Sequence, residues 1–440
     1  MRGARALAAL ALAFAALPGT ASGEGLVDRA EALAREAEPR VIEWRRHIHR
    51  NPELSYEERE TAAFIAARLR AMPGIEVRTG IAKTGVKAVL RGARPGPVVA
   101  LRADMDALPV EEKSGLPFAS RAKAPWKGKD TFVAHACGHD THVAMLLGAA
   151  EVLSRLRAEL AGTVVFLFQP AEEWGEPGGT IPSGAVAMVR EGALADPKVD
   201  FVLGQHIGAE APSRTLRYRR GALMASADDF EIVVKGKGTH GAFPWKGRDP
   251  IVVAAQITLA LQGIVGREMD LVEEGPVVVS IGSFQAGNRE NIIPEEARLA
   301  GTIRSLSGKS RVAARESLQR KAEKIAEASG LTAEVRFLLG PPPLLNHPAL
   351  ADRVVPALER AAGPGRAFEV PPIMAAEDFG AYAEGGIPTM YWFLAASPHG
   401  ERPGAPNHSP EFAVDEAALA VGVRALVGAT LEILRRPAGV

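Results

Sequence analysis

The stretch that decides the fold is residues 97–106, PVVALRADMD, in which a short apolar run ends in two carboxylates. A run of this length and composition is typical of a buried strand. Three further runs have the same form, at 163–168, 199–204 and 389–394, and helical stretches such as 143–158 lie between them. Strands that alternate with helices predict an α/β fold with a mostly parallel sheet flanked by helices.

Residues that can bind metal follow these predicted strands. Glu172 and Glu173 come after the second run, His206 comes after the third, and His408 lies beyond the fourth. In parallel sheets, ligand sites form beyond the carboxyl ends of the strands. We therefore expect these side chains to meet at one edge of the sheet.

The segment 135–142, HACGHDTH, contains three histidines, one aspartate and the only cysteine of the chain. Cys137 and His139 can reach one metal ion if the backbone turns at Gly138, and glycine permits such a turn. Asp140 is placed to orient a liganding imidazole. The alternative is a buried free cysteine among surface histidines, which the density of ligand types disfavours.

Five candidate ligands result, and they are too many for one tetrahedral zinc ion. They fit two ions that share a ligand and a bridging water, and the thiolate favours zinc. With Glu173 on the metal, the adjacent Glu172 is free to act as a general base, which indicates metal-assisted hydrolysis. Taken alone, the acidic pair would also suit a solvated turn. The predicted ligands are Cys137, His139, Glu173, His206 and His408.

From about residue 225 the pattern changes to strand, helix, two strands, helix and strand, which is the order of a ferredoxin-like sandwich. The predicted strands are 230–235, 277–284, 297–304 and 332–338, and the helices are 250–267 and 310–329. We interpret residues 223–340 as an α+β lid domain inserted into a catalytic domain made of residues 24–222 and 341–440. These boundaries are predictions.

Three residues of the predicted lid are candidates for substrate contacts. His240 lies in a glycine-rich loop, where an exposed imidazole could stabilise an oxyanion in a neighbouring site. Asn291 and Arg304 could bind a substrate carboxylate. Each of the three would more often be structural if it stood alone.

Composition and charge exclude several classes of function. Lys+Arg and Asp+Glu both number 52, and the chain has no basic run, so we expect no nucleic-acid partner. A single cysteine excludes an internal disulfide. The first helical stretch of the mature chain, 26–50, contains Pro39, where we expect a break.

Residues 1–23 have the features of a cleaved signal peptide: a charged start, an apolar run at 6–17 and a segment of small residues. They predict export to the periplasm or the medium. The alternative is an N-terminal helix on an intracellular protein whose start was placed too far upstream. The apolar run is too short to span a bilayer, which takes about 20 residues, and we expect no other stretch of the chain to be long and apolar enough to do so. No stable membrane insertion is expected.

Together the motifs resemble the dinuclear metallo-amidohydrolases and carboxypeptidases related to aminoacylase. The branch they resemble most contains hippurate hydrolases, N-acyl-L-amino-acid amidohydrolases and plant indole-acetyl-amino-acid hydrolases. The resemblance covers nearly all of the mature chain in the expected order, and it is specific as a combination. The matching segments are 101–109, 135–142, 168–173, 238–240 with Pro244, 291–294, 377–379 and 408–412.

The resemblance implies a catalytic domain with a lid, and two divalent ions, zinc or manganese, on the five ligands named above. Glu172 would be the general base. His240 would act at the scissile carbonyl, in many relatives across a dimer interface, which implies a homodimer through the lid. Asp106 would support the ligands from behind. Asp104 stands where the wider family often has a histidine ligand, and we leave it out of the metal set.

We therefore expect hydrolysis of the amide bond of small N-acyl or N-aroyl amino acids, hippurate-like or acetylated. A metal-bridged hydroxide would attack the carbonyl while Glu172 moves the proton. A dipeptidase or carboxypeptidase acting on small peptides is the alternative. A more remote one is an exported binding protein that holds amino-acid conjugates without cleaving them, and the presence of the base and all five ligands disfavours it.

Overall fold

The structure, a computed structural model, describes residues 23–173 and 181–435. The predicted signal peptide, except for its last residue, lies outside the described residues. The helices are α1 (Gly23–Arg50), α2 (Arg59–Arg70), α3 (His139–Arg155), α4 (Gly184–Arg190), α5 (Pro250–Glu268), α6 (Gly308–Ala328), α7 (Pro348–Ala362) and α8 (Leu419–Arg435).

The strands are β1 (Ile75–Ile81), β2 (Gly85–Arg91), β3 (Arg94–Asp104), β4 (Lys123–Trp126), β5 (Lys129–Phe132), β6 (Ala161–Gln169), β7 (Phe201–Gly208), β8 (Thr215–Tyr218), β9 (Gly221–Met224), β10 (Ser226–Lys235), β11 (Thr239–His240), β12 (Val277–Ala286), β13 (Ile292–Ile293), β14 (Glu296–Ser305), β15 (Thr332–Leu339), β16 (Leu344–Asn346), β17 (Ala367–Glu369) and β18 (Thr389–Ala395).

Eight strands form the central sheet in the order β1-β2-β6-β3-β7-β18-β8-β17. The four middle strands, β6, β3, β7 and β18, are parallel, and the antiparallel pairs lie toward the margins. The middle strands carry few exposed residues because helices cover both faces of the sheet. The predicted α/β class with a mostly parallel sheet is confirmed.

Helices α1, α3, α7 and α8 pack on one face of this sheet and share one hydrophobic core. The expected break near Pro39 was wrong, because α1 continues through that residue. An interior proline costs a helix about 3 kcal/mol. The apolar face of α1 offsets this cost, since Ala37, Val41 and Ile48 are buried against the core on either side of the proline.

The inserted segment forms a second, four-stranded antiparallel sheet in the order β12-β14-β10-β15. Helices α5 and α6 pack on it around a separate core, so the chain order β10-α5-β12-β14-α6-β15 is the predicted ferredoxin-like one. The flanking strands β9 and β16 pair with each other. The chain therefore leaves the larger domain and re-enters it at one place.

By length and composition, two helical stretches among the described residues could span a membrane: α5 and the segment Glu416–Arg435. The expectation that no such stretch follows the N-terminal run was therefore wrong. Within its apolar window the second stretch is 78% buried, as a core helix of the larger domain would be. Only 33% of the window in α5 is buried, so this helix exposes apolar side chains on the lid.

Candidate metal centre and active site

The candidate site lies at the carboxyl ends of the middle strands β3, β6 and β7, beside the loop that follows β18. A cavity of about 1400 Å³ opens there between the central sheet and the lid. Cys137, Glu172 and His206 line it from the larger domain, and Arg304 and Gly340 line it from the lid side. The topology thus brings together residues that are far apart in the sequence, as expected for a parallel sheet.

The segment around Cys137 turns at Gly138, as the sequence predicted. Gly138 adopts φ +88°, a left-handed conformation that disfavours other residues, and His139 then begins α3. A Cβ atom at Gly138 would lie 2.4 Å from Cγ2 of Ile207. Glycine is therefore required both by the backbone conformation and by the close approach of β7.

The structure brings all five predicted ligands together, in two groups of three. In each group the ligand atoms lie within 4.8 Å of one another: Cys137, His139 and His206 form one, and Cys137, Glu173 and His408 form the other. Cys137 Sγ is 3.4 Å from His206 Nε2. His408 Nε2 is 3.0 Å from Glu173 Oε1. Because Cys137 belongs to both groups, the arrangement fits two ions that share the thiolate.

Each imidazole of the first group has one ring nitrogen, Nδ1, close to a main-chain oxygen. His139 Nδ1 lies 2.9 Å from the main-chain oxygen of Asp106, and its buried Nε2 has no hydrogen-bond partner within the described part of the chain. His206 Nδ1 lies 2.7 Å from the main-chain oxygen of Ile207. These contacts fix the ring orientations and leave Nε2 of each ring for a metal ion.

The buried acidic groups of the cluster favour the binding of cations. Burial, together with Glu173 and Glu172, raises the pKa of the Cys137 thiol well above its usual value. Burial, with Glu377 and Glu173 nearby, likewise raises the pKa of Glu172. Several acidic groups thus share a buried space that disfavours their ionised forms. Bound divalent ions reverse this balance, which is a physical reason to expect metal here.

Carboxylates hold the turn that carries Glu172 and Glu173. Ala171 N–H donates to Glu58 Oε1 at 2.9 Å, and the next two N–H groups donate to Asp106 Oδ1 and Oδ2, each at 3.1 Å. Ala171 adopts φ +49°, a strained conformation for a residue with a side chain. This strained turn allows Glu173 to join the ligand cluster with His408 while Glu172 remains available.

The expected contact of Asp140 with a predicted metal ligand was wrong, and Asp106 lies against His139 instead. Asp140 Oδ2 accepts from Arg45 Nε at 2.7 Å and lies 2.9 Å from His49 Nδ1. Adjacent residues on a helix point in directions about 100° apart, so Asp140 faces α1 while His139 faces the cavity side. Asp106 contacts His139 from behind, as the resemblance implied.

Asp104 and His142 also lie close to the cluster, but their atoms are engaged elsewhere. His142 Nδ1 lies 2.5 Å from Asp104 Oδ1, and His142 Nε2 accepts from Ile207 N–H at 2.8 Å. Asp104 Oδ2 accepts from Arg102 Nη1 at 2.6 Å. With both of its nitrogens bonded, His142 has no free position for a metal ion.

Beneath Glu172 lies a charge network that we did not predict from the sequence. Arg102 is fully buried and donates through Nη2 to Glu377 Oε1 and Asp378 Oδ1, both at 2.9 Å. Carboxylate atoms of Glu377 and Asp378 lie within 4.8 Å of Glu172. The sequence signals were the segments 101–109 and 377–379, which carried part of the resemblance without any role assigned to Arg102, Glu377 or Asp378.

The three lid residues are divided between two places. Arg304 on β14 lines the cavity. His240 is exposed on β11, where it pairs with Ile292 of β13, and Asn291 lies beside it with its main-chain oxygen accepting from Gly241 N–H at 2.8 Å. Within one described chain, His240 and Asn291 lie outside the set of residues that line the cavity.

The fold and this cluster define a two-domain, metal-dependent hydrolase. The chain belongs to peptidase family M20/M25/M40, whose sequence profile matches residues 100–432. It is 42% identical to thermostable carboxypeptidase 2 of Saccharolobus solfataricus over 404 residues, which are 91% of this chain and 97% of the relative.

Two further relatives have different printed descriptions. An N-acyl-L-amino acid amidohydrolase of Geobacillus stearothermophilus is 40% identical over 315 residues, 72% of this chain and 80% of the relative. The crystal structure of the Bacillus subtilis YXEP protein, described as a dinuclear metal binding peptidase, superposes with a TM-score of 0.76. It is 34% identical, and the match covers 91% of this chain and 99% of that one. The expected family is confirmed.

Proposed function

We propose that this protein uses two divalent ions to hydrolyse the amide bond of small N-acyl or N-aroyl amino acids. The observation that carries the proposal is the pair of ligand groups that share Cys137, with Glu172 beside them. Similarity to the Geobacillus amidohydrolase supports this substrate class. Similarity to the Saccharolobus carboxypeptidase favours small peptides as the second candidate.

Cys137, His139 and His206 would hold one ion, and Cys137, Glu173 and His408 the other, with zinc or manganese as the metal. When bound, the ions would acidify a water molecule and polarise the scissile carbonyl. Glu172 takes a proton from water in the cavity and delivers it to the leaving amine. Its partial burial and the contacts of its turn with Asp106 keep it in place for both steps. Arg304 binds the carboxylate of the amino acid from the lid.

We further propose that two chains pair through their lids and complete each other's sites. His240 and Asn291 are exposed on one small sheet, where they could enter the cavity of a second chain. Nearby, α5 exposes Leu259 and Val252, with 75% and 54% of their surface accessible, and β12 is an edge strand with free backbone groups. An exposed edge and an apolar helix face are the usual elements of a symmetric interface.

The first test of the hydrolase is metal content and amide hydrolysis measured on one purified sample. We expect two ions per chain and turnover of hippurate or N-acetyl amino acids, lost to a chelator and restored by zinc or manganese. Dipeptides assayed beside them separate the two candidate functions. Ions without turnover on any amide would overturn the substrate class, and a chain that binds no metal after reconstitution would overturn the ligand set.

The dimer can be tested by mixing two inactive variants, Glu172→Gln and His240→Ala. A mixed dimer has one cavity with an intact Glu172 that faces an intact His240. After subunit exchange, random pairing should therefore restore up to about a quarter of the wild-type activity. A mixture that stays inactive although the chains exchange would contradict a shared site.

We also propose export, on the basis of residues 1–23. Protein recovered from the periplasm or medium should begin near residues 22–24, as found by N-terminal sequencing. Protein that retains Met1 and stays inside the cell would contradict export.

A further inference from the structure

Arg217 lies in one row with a candidate metal ligand across the central sheet. In the register of the sheet, His206 on β7 pairs with Phe393 on β18, and Phe393 pairs with Arg217 on β8. Paired residues on neighbouring strands project from the same face, and each strand spacing is about 4.8 Å. The backbone of Arg217 is therefore about 10 Å from that of His206, and both residues line the same cavity.

Among the described residues, the side chain of Arg217 makes no hydrogen bond or ion pair. Its Nε atom is buried without a partner, and its guanidinium lies 5.8 Å from the centre of the Phe393 ring. Three other arginines have a similarly unpaired Nε, but each donates to a main-chain oxygen through another nitrogen. These are Arg219, Arg366 and Arg424.

The missing partner matters because an unpaired buried donor costs free energy that folding alone does not recover. Burial lowers the pKa of Arg217, and Glu210, the one carboxylate that offsets this, lies beyond ion-pairing distance. By contrast, the buried Arg102 pairs with three carboxylates. The side chain of Arg217 is thus a cation with an unpaired donor in the cavity, and its guanidinium lies within cation–π distance of the Phe393 ring.

We propose that Arg217 binds a second carboxylate of the substrate, so that the preferred substrates are N-acyl amino acids with two carboxylates. The inference rests on the proposed amide hydrolysis. Arg304 on the lid accounts for the carboxylate next to the scissile amide, and Arg217 lies on the other domain. A guanidinium binds a carboxylate through two parallel hydrogen bonds, which gives both affinity and orientation.

The distance along the sheet defines where this second carboxylate sits. The backbones of His206 and Arg217 are about 10 Å apart, and the arginine side chain extends across part of this distance. The guanidinium is therefore placed for a carboxylate that is several bonds away from the scissile carbonyl. It could belong to the amino-acid side chain, as in N-acetyl-L-glutamate, or to the far end of the acyl group, as in N-glutaryl-L-alanine. The chemistry recognised is the same, and the two sources can be separated by assay.

The test compares matched substrate pairs on the purified, metal-loaded protein. N-acetyl-L-glutamate is paired with N-acetyl-L-glutamine, and N-glutaryl-L-alanine with N-pentanoyl-L-alanine. We expect the wild type to prefer the dicarboxylate in at least one pair. Arg217→Gln should lower kcat/KM for that dicarboxylate roughly 10- to 100-fold and for its neutral match less than about threefold. Arg217→Lys should keep part of the preference.

Arg214→Gln is the control, because Arg214 precedes the same strand but forms an exposed ion pair with Asp415 outside the cavity. It should leave both substrate pairs unchanged. Equal losses on both members of a pair in Arg217→Gln, or a wild type without any dicarboxylate preference, would overturn the proposal.

Calorimetric binding of the same compounds separates this proposal from the hydrolase itself. If the wild type cleaves none of the amides, the proposed function fails. Tighter binding of the dicarboxylates that depends on Arg217 would still support the carboxylate site. Equal binding of both members of each pair would then overturn it as well.

Discussion

Replacing Asp106 with asparagine tests whether one carboxylate positions both the base and the metal ligands. Asp106 accepts four hydrogen bonds: from Ser55 Oγ at 2.6 Å, from the N–H groups of Glu172 and Glu173 at 3.1 Å each, and from His139 Nδ1 at 3.2 Å. An amide keeps only one acceptor oxygen. In the orientation that keeps the most hydrogen bonds, the NH₂ group of the new asparagine takes the place of Oδ2 and donates to Ser55 Oγ. It then faces the N–H of Glu173, and two donors cannot form a hydrogen bond.

The magnitude follows from these contacts. The bond from Glu173 N–H to a charged group is lost, at about 1.5–3 kcal/mol, and two other bonds change from charged to neutral at about 1 kcal/mol each. The sum, about 3.5–5 kcal/mol of positioning free energy, corresponds to a decrease in kcat of roughly 400- to 5,000-fold. Metal affinity should fall roughly 10–100-fold, because His139 loses its charged partner.

The assay is kcat for hydrolysis of an N-acyl amino acid at saturating metal, together with a metal titration. Ser55→Ala is the control, since it removes one bond to the charged Asp106, at about 1.5–3 kcal/mol, and keeps the carboxylate with its other three hydrogen bonds. If Asp106→Asn retained two ions and a kcat within about threefold of wild type, the positioning argument would be refuted. If Ser55→Ala were equally impaired, the effect would be a general loss of stability.

Three further predictions concern the base, the buried network and the acid sensitivity of the fold. Glu172→Gln should keep both ions, as metal analysis would show, and lose roughly 10²–10⁴-fold in kcat; an active variant would refute the base assignment. Arg102→Met removes the guanidinium that three buried carboxylates share and should lower the free energy of unfolding by about 3–5 kcal/mol, measured by urea denaturation, whereas a loss below about 1 kcal/mol would contradict this. Burial raises the pKa of Glu416, but the contacts with Arg46 and Arg45 lower it more, so its pKa in the folded state is below the usual value of about 4.3. The ion pairs of Glu416 therefore stabilise the fold above that usual pKa, and this stabilisation is lost as the pH falls through the folded-state pKa. Glu416→Gln should therefore be less stable than wild type by about 0.5–2 kcal/mol at pH 7, and the difference should shrink toward pH 4; a difference independent of pH would contradict the sign.

Much of the fold was predictable because its signals are local. The apolar run 97–102 can be buried on both sides only in a sheet that helices cover on both faces. The hydrophobic periodicity of the lid segments predicts the order βαββαβ. The turn at Gly138 was also predictable, since a backbone conformation depends mainly on the residue that adopts it. Pro39 shows the limit of such reasoning, because distant packing of α1 kept the helix intact.

The sequence by itself determined which chemistry is available: a thiol and an imidazole at a glycine turn, and further imidazoles and adjacent carboxylates placed after predicted strands. Only the tertiary structure decided how these groups combine. Packing of the loop before α3 against β7 and Asn407 put Cys137 in both ligand groups, and helix geometry turned Asp140 away from the ligands. The row from His206 through Phe393 to Arg217 likewise depends on the pairing of three strands. Such pairings join residues that are far apart in the chain, and no local pattern specifies them.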